Sequence, residues 1–168
     1  LEPDKAMQQI LEEKIKTGIL PANCHIHGGN IELLNQEQLF DCIIYIDVLE
    51  HISDDTGEIR KAATYLKPGG RLIVLSPAFN FLYSPFDKAI GHYRRYNKRS
   101  LSMLTGPSLV PERLFYLDTI GFFASLLNKI LLKQRYPTQK QISFWDNWMN
   151  PVSKITDRIF FYSFGKSI

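Results

Sequence analysis

The run Cys42-Ile43-Ile44-Tyr45-Ile46 lies between Asp41 and Asp47 with no polar residue in alternation. A strand wet on one face alternates, whereas an unbroken apolar run fits a parallel strand covered on both faces. The next thirty or so residues narrow the choice. Asp47-Val48-Leu49-Glu50-His51-Ile52 leaves the strand end, and a helix is predicted after it. Asp55 and Glu58 have capping-box spacing, with Asp in place of the usual Ser or Thr. Ile59, Ala62, Ala63 and Leu66 mark one buried face of that helix. Lys67-Pro68-Gly69-Gly70 is expected to end it and turn the chain into a second buried strand, residues 72–75, stopped by Pro77. Strand, helix and strand in one covered sheet imply a right-handed crossover. The expected fold class is therefore α/β with a doubly wound parallel sheet.

Other segments carry weaker signals. Asp4 is placed to cap a helix with Met7, Ile10, Leu11 and Ile15 at helical spacing, and Gly18 and Pro21 stop it. Residues 24–27 read as a short strand closed by Gly28-Gly29. Residues 80–104 read as an insertion, polar, aromatic and basic over 80–100. Residues 113–116 read as a strand, 120–132 as an apolar helix and 134–143 as a polar connection. Residues 144–164 are aromatic-rich and helical in part, within a C-terminal helical region 118–168.

Composition excludes several classes. With 168 residues, 45 % hydrophobic and 22 % charged, the chain can form a single domain with a real core. A disordered tail, a collagen-like rod and a coiled coil are ruled out. A formal charge of +3 does not indicate a dedicated nucleic-acid binder, and no nucleic-acid partner is expected. Two cysteines, Cys24 and Cys42, point to reduced thiols and a cytoplasmic location. Glu2, Asp4 and Lys5 are unlike the start of a signal peptide. The longest apolar stretch, residues 114–132, is interrupted by Asp118, Asn128 and Lys129, so no spanning helix is expected.

Ligands of a parallel sheet bind beyond the carboxyl ends of its strands, so residues 47–51 are placed to touch one. Their bland alternative is that Asp47 and Glu50 only cap or solvate a loop. Taken together, residues 40–70 resemble the class I S-adenosylmethionine (SAM)-dependent methyltransferases: an apolar strand, a D-V-L-E-H-I-like segment, a helix, then L-K-P-G-G before the next strand. The resemblance implies a Rossmann-like methyltransferase sheet and SAM as cofactor. It makes Glu2 the residue that holds the ribose hydroxyls, as a carboxylate can. It lays Asn30 and Ile31 along the adenine, with Asn where the family often has Asp. It puts Asp47 and Val48 beside the methionine portion. His51, at the presumed strand end near the methyl-transfer position, reads as the candidate base, against the alternative of a helix-start histidine bonding a nearby backbone group or carboxylate. Ser76-Pro77-Ala78, Ser84-Pro85-Phe86-Asp87, Gly91-His92-Tyr93-Arg94-Arg95-Tyr96 and Ser100-Leu101 are similar to one subgroup of these enzymes. In that subgroup Asp87, His92, Arg94 and Arg95 would orient a small-molecule acceptor. Phe164-Gly165-Lys166-Ser167 resembles the lead into the family's last strand.

The departures shape the expectation too. The family's first strand and its G-x-G-x-G-like loop are not among these residues, and its last strand is cut. In the family order 3-2-1-4-5-7-6 the missing strand is central, and unpaired buried backbone costs ~1–3 kcal/mol per group. The expected fold is an incomplete methyltransferase sheet, forming one partial domain over residues 1–168. Its expected function is methyl transfer from SAM to an unidentified small-molecule acceptor, with binding by this chain itself in doubt. The alternative is a catalytically inactive methyltransferase-like module for binding or oligomerisation.

Three further features keep their alternatives. His92, Arg94, Arg95, Lys98 and Arg99, interleaved with Tyr93 and Tyr96, read as an acceptor lid gripping an anion, as a nucleic-acid contact, or as a solvated loop with Asp87 paired to an arginine. His25 and His27 share one face of the expected strand but lack further ligands, so no metal centre is expected there or elsewhere. Residues 120–127, followed by Lys129 and Lys133, read as a core or dimer-interface helix, against the alternative of a peripheral membrane contact. The apolar surface of a truncated sheet favours a homo-oligomer.

Overall fold

Asp4 begins the first helix as its sequence requires: its side chain accepts from the Met7 N–H at 2.9 Å, and α1 runs Lys5–Lys16. The computed structural model describes residues 1–35, 37–132, 136 and 138–168, which fall into two units, Leu1–Phe40 and Asp41–Ile168. In the first unit, residues 24–27 form no strand, contrary to the sequence expectation. Only a single parallel bridge, Glu2 with Gly28, stands there, made by Glu2 N to His27 O and Gly29 N to Glu2 O, both 3.0 Å. A one-bridge contact is too short to count as a ladder. It nevertheless sets Glu2 beside the turn that carries Asn30.

The sheet has two parallel strands, β1 (Phe40–Ile46) and β2 (Leu66–Leu75), joined through α2 (Asp55–Thr64). That is the expected strand, helix and strand, on a smaller scale. A complete doubly wound sheet is not present among the described residues. The strands accordingly lack cover on both faces: Ile44 and Ile46 are 56 % exposed and Ile73 is 50 % exposed. Tyr45 points the other way, is buried, and donates its hydroxyl to Glu58 Oε1 at 2.6 Å. This draws Glu58 away from the capping role predicted for it. The cap of α2 is Asp54, not Asp55, and accepts from Gly57 N at 2.9 Å. The helix also stops earlier than predicted. Tyr65 closes it, and Lys67, Pro68, Gly69 and Gly70 belong to β2 itself.

Beyond β2 the chain is mostly helical. The insertion contains α3 (Pro85–Ala89) and α4 (Lys98–Leu104). Residues 113–116 form no strand; the backbone pairing falls one residue later, at Leu117. α5 (Thr119–Leu127) continues as a π-helical turn, Asn128–Leu132. α6 (Gln139–Phe144), a second π turn (Trp145–Met149) and α7 (Asn150–Ile159) complete the helices. Lys133, Gln134 and part of the expected polar connection lie outside the described residues.

The last residues return to the sheet's end. Ser167 bridges Pro77 and Leu117 in antiparallel sense, and Ser76 and Ile168 exchange N–H to O bonds of 2.8 and 2.9 Å. The core of this unit gathers Leu49, Ile59, Tyr65, Leu82, Tyr96 and Leu101. Phe122 of α5 packs edge-on to Phe79 and Phe164, which places one side of that helix in an aromatic cluster. Lys129 donates to the carbonyl of Phe81. No helix among the described residues is long and apolar enough to cross a membrane.

Candidate functional site

β1 ends at Ile46, and the next residue takes an unusual backbone. Asp47 has φ +51°, while its N–H still bonds Leu75 O at 2.8 Å. A left-handed conformation at a residue other than glycine carries strain and is seen where a chain must turn at a site. The turn leaves the Asp47 carboxylate exposed and Val48 40 % exposed at the strand's carboxyl end. It then folds Leu49 and Glu50 inward, both at 0 % exposure, and leaves His51 outward.

Glu50 is the residue whose weight the sequence did not disclose. Among the described residues neither carboxylate oxygen has a hydrogen-bond partner, and neither does the nearby Ser76 hydroxyl. Burial, reinforced by the charge of Asp47, raises the pKa of Glu50. His92 Nε2 stands 3.7 Å from Glu50 Oε1. The His51 and His92 rings meet edge to face, with centroids 4.6 Å apart. His51 has its pKa lowered, first by burial and then by the His92 charge, against the opposing effect of the Gly91 backbone and Asp47. It therefore offers a neutral imidazole at its exposed edge.

The residues expected to orient an acceptor are largely committed to one another. Asp87, wholly buried, accepts from Arg95 Nε at 2.8 Å and Nη2 at 3.0 Å. It also accepts from Ser84 N at 2.8 Å and Ser84 Oγ at 2.9 Å, and meets His92 Nδ1 at 2.9 Å. Burial would raise its pKa, but the bonds from His92, Arg95 and Ser84 and the Arg95 charge outweigh that and hold it well below the carboxylate range. The pairing of Asp87 with an arginine is the one the bland reading anticipated, in the interior instead of a solvated loop. Arg94 is engaged as well, 2.5 Å from Asp55 Oδ2 and 2.7 Å from Ser53 O. The backbone bond from Tyr93 N to Glu50 O, 2.8 Å, ties this segment to the strand-end turn.

Arg95 also reaches a cavity of about 510 Å³ between α3, α5 and the residues 141–150. Phe86, Ala124, Leu127, Phe144, Trp145 and Met149 give it an apolar wall, and Lys166 closes one side. The Lys166 ammonium lies 4.2 Å from the Trp145 ring centre, and burial lowers its pKa. No spacing rule marks Lys166; only the return of the chain end to Ser76 and Ala78 brings it here.

A model of a family described as a methyltransferase domain matches residues 2–129. The chain belongs to this methyltransferase family. The match takes in Glu2, Asn30, the strand-end turn and the whole insertion. No curated protein matches the chain.

Methyltransferase domains generally use SAM, and each unit carries residues whose chemistry fits part of it. In the first unit, Glu2 Oε1 accepts from Asp4 N at 2.9 Å, and no donor among the described residues meets its other oxygen. Asn30 Oδ1 accepts from Glu32 N at 3.2 Å, and its amide N–H groups have no acceptor among the described residues. An open carboxylate oxygen suits a ribose hydroxyl, and a free amide donor suits an adenine nitrogen. Ile31, 3 % exposed, starts the 3₁₀ turn that fixes Asn30. In the second unit, Asp47 exposes its carboxylate at the strand end, the proper chemistry for an ammonium group. His25 and His27 bring no further ligand residue with them among the described residues.

Proposed function

We propose that this chain acts in methyl transfer from SAM to a small molecule with an apolar body. The observation that carries this is the strand-end turn of a methyltransferase-family chain, where Asp47 is held in a left-handed conformation and Val48 and His51 are presented outward. The cofactor supplies an activated methyl on a sulfonium, so the protein's work is alignment and exclusion of water. In the first unit Glu2, Asn30 and Ile31 are the candidates for the nucleoside, and in the second unit Asp47 and Val48 are the candidates for the amino-acid end. The proton of an acceptor hydroxyl or amine is placed at the Glu50, His51 and His92 cluster, whose exposed member, His51, is the candidate base. The 510 Å³ cavity is of a size for a small acceptor with an apolar body. Asp87 and His92 act here by holding Arg95 and the turn; Arg94 braces the same segment through Asp55.

The test is calorimetric titration of SAM and its demethylated product into the 168-residue chain. Binding that weakens about tenfold (~1.4 kcal/mol) in Glu2→Ala and in Asp47→Ala supports the reading. A folded chain with no binding means that the site is not assembled by these residues, and the module is then one for binding or oligomerisation. In an active preparation, His51→Ala should lower turnover and leave SAM affinity nearly unchanged.

A further inference from the structure

A carboxylate buried without hydrogen bonds is costly if it is charged and alone. Glu50 is in that position: 0 % exposed, with both oxygens unpartnered among the described residues. Such a group calls for a proton or a cation, and two imidazoles stand at it. Ligand atoms of Glu50, His51 and His92 all lie within 4.8 Å of one another. The 3.7 Å between His92 Nε2 and Glu50 Oε1 is too long for a hydrogen bond. It is short enough for both to reach one ion through bonds of ~2.0–2.2 Å.

The orientation of His92 is fixed from behind. Asp87 Oδ1 stands 2.9 Å from Nδ1, which leaves Nε2 facing Glu50. A carboxylate behind a histidine is the usual support of a metal-bound imidazole. Asp87 is itself held by Arg95 and Ser84. His51 is exposed, with the freedom to close on an ion and with solvent on its other side.

We propose that Glu50, His51 and His92 form a binding site for a divalent transition-metal ion, with an open coordination position on the His51 side. Two imidazoles and one carboxylate select zinc or an ion of similar preference; calcium and magnesium prefer all-oxygen sets. Three protein ligands with one open position make the pattern of a catalytic, not a structural, ion. With the ion in place His51 is a ligand and no longer a base. An acceptor hydroxyl beside the ion then loses its proton to water more readily, which replaces the step assigned above to His51.

Cobalt(II), titrated into the 168-residue chain and followed by visible absorption, tests the site directly, with zinc as competitor. One equivalent is expected to give a ligand-field band that zinc abolishes. Glu50→Gln and His92→Gln should weaken binding by at least about tenfold, since losing even an outer-shell partner typically costs ~10–100-fold. His25→Ala, in the other unit, should leave it unchanged. A folded wild-type chain without the band overturns the proposal, as does a band that persists in Glu50→Gln. Should Glu50→Gln fail to fold by circular dichroism, His51→Ala at its exposed position gives the same reading: a lost band supports the site, a retained one overturns it. SAM titration is read separately. Cobalt binding without SAM binding leaves the metal site standing and removes the cofactor reading; the reverse result does the opposite.

Discussion

Arg95 closes on Asp87 at two points, Nε to Oδ1 at 2.8 Å and Nη2 to Oδ2 at 3.0 Å, and neither side chain reaches solvent to any extent. A forked, buried pair of this kind is expensive to break from one side, because the survivor is left as an uncompensated charge. Asp87→Ala should therefore destabilise the chain by ~3–5 kcal/mol in urea unfolding. Arg95→Lys keeps the charge but loses the fork, and a smaller loss is expected. Equal losses in the two variants would show that charge alone, without the fork, holds the insertion.

A second carboxylate anchors the C-terminal helices. Asp157 accepts from Asp118 N at 2.9 Å, Thr119 N at 2.8 Å and Thr119 Oγ1 at 2.5 Å, and so pins α7 to the start of α5. Asp157 is 4 % exposed. Asp157→Ala leaves buried donors without acceptors, each a penalty of ~1–3 kcal/mol before relaxation. Thr119→Val removes a single donor and should be distinctly milder. Thermal unfolding of the two variants beside the parent gives the order; a milder Asp157→Ala would mean that water replaces the carboxylate.

Acid sensitivity should be traceable to Asp55. Its burial would raise the pKa, but bonds from Tyr96 (Oη to Oδ2, 2.7 Å) and Arg94, with the Arg94 charge, win and lower it. The unfolded value is about 3.9. A folded pKa below the unfolded one means that the contribution is complete above about pH 4 and is lost as pH falls through the lower, folded value. Asp55→Asn should cost stability at pH 7 and progressively less below pH 4. A constant difference between parent and variant from pH 7 to pH 2 would refute the linkage.

The parts of this fold that follow local rules were open to the sequence. Asp4 and the spacing of Met7, Ile10 and Ile15 fixed α1, and the run through Tyr45 marked β1. The turn carrying Asp47 and His51 stands at the strand end where the pattern put it. Local rules failed where distant groups competed. Tyr45 takes Glu58 from the cap, and the ladder takes Lys67 to Gly70 into β2 although Pro and Gly speak for a turn. The placement of Glu50 could not be read, because an acidic residue beside a histidine looks solvated until the left-handed turn at Asp47 drives it inward. Lys166 was hidden for a related reason, since its surroundings are made by Trp145 and by the pairing of Ser167 with Leu117.

That last pairing rests on a glycine. A Cβ on Gly165 would stand 2.1 Å from Leu117 O, 2.5 Å from its carbonyl carbon and 2.7 Å from its nitrogen. All three are backbone atoms of the neighbouring segment, which cannot rotate aside as a side chain would. The bonds between Leu117 and Ser167, 2.8 and 3.0 Å, and from Lys166 N to Asp118 O at 3.0 Å hold that segment in place. Gly165→Ala should cost at least the upper end of the ~1–3 kcal/mol usual for overpacking. Gly69→Ala separates this clash from simple backbone strain. Gly69 has φ +77° and nothing within 4 Å of its Cβ position, so only the left-handed cost of ~1–2 kcal/mol applies. Because Lys166 sits between the clash and the Trp145 ring, Gly165→Ala should also shift the tryptophan fluorescence, and Gly69→Ala should not. A Gly165→Ala chain as stable as the parent, with unchanged emission, would mean that residues 165–168 do not pair with Leu117 in solution.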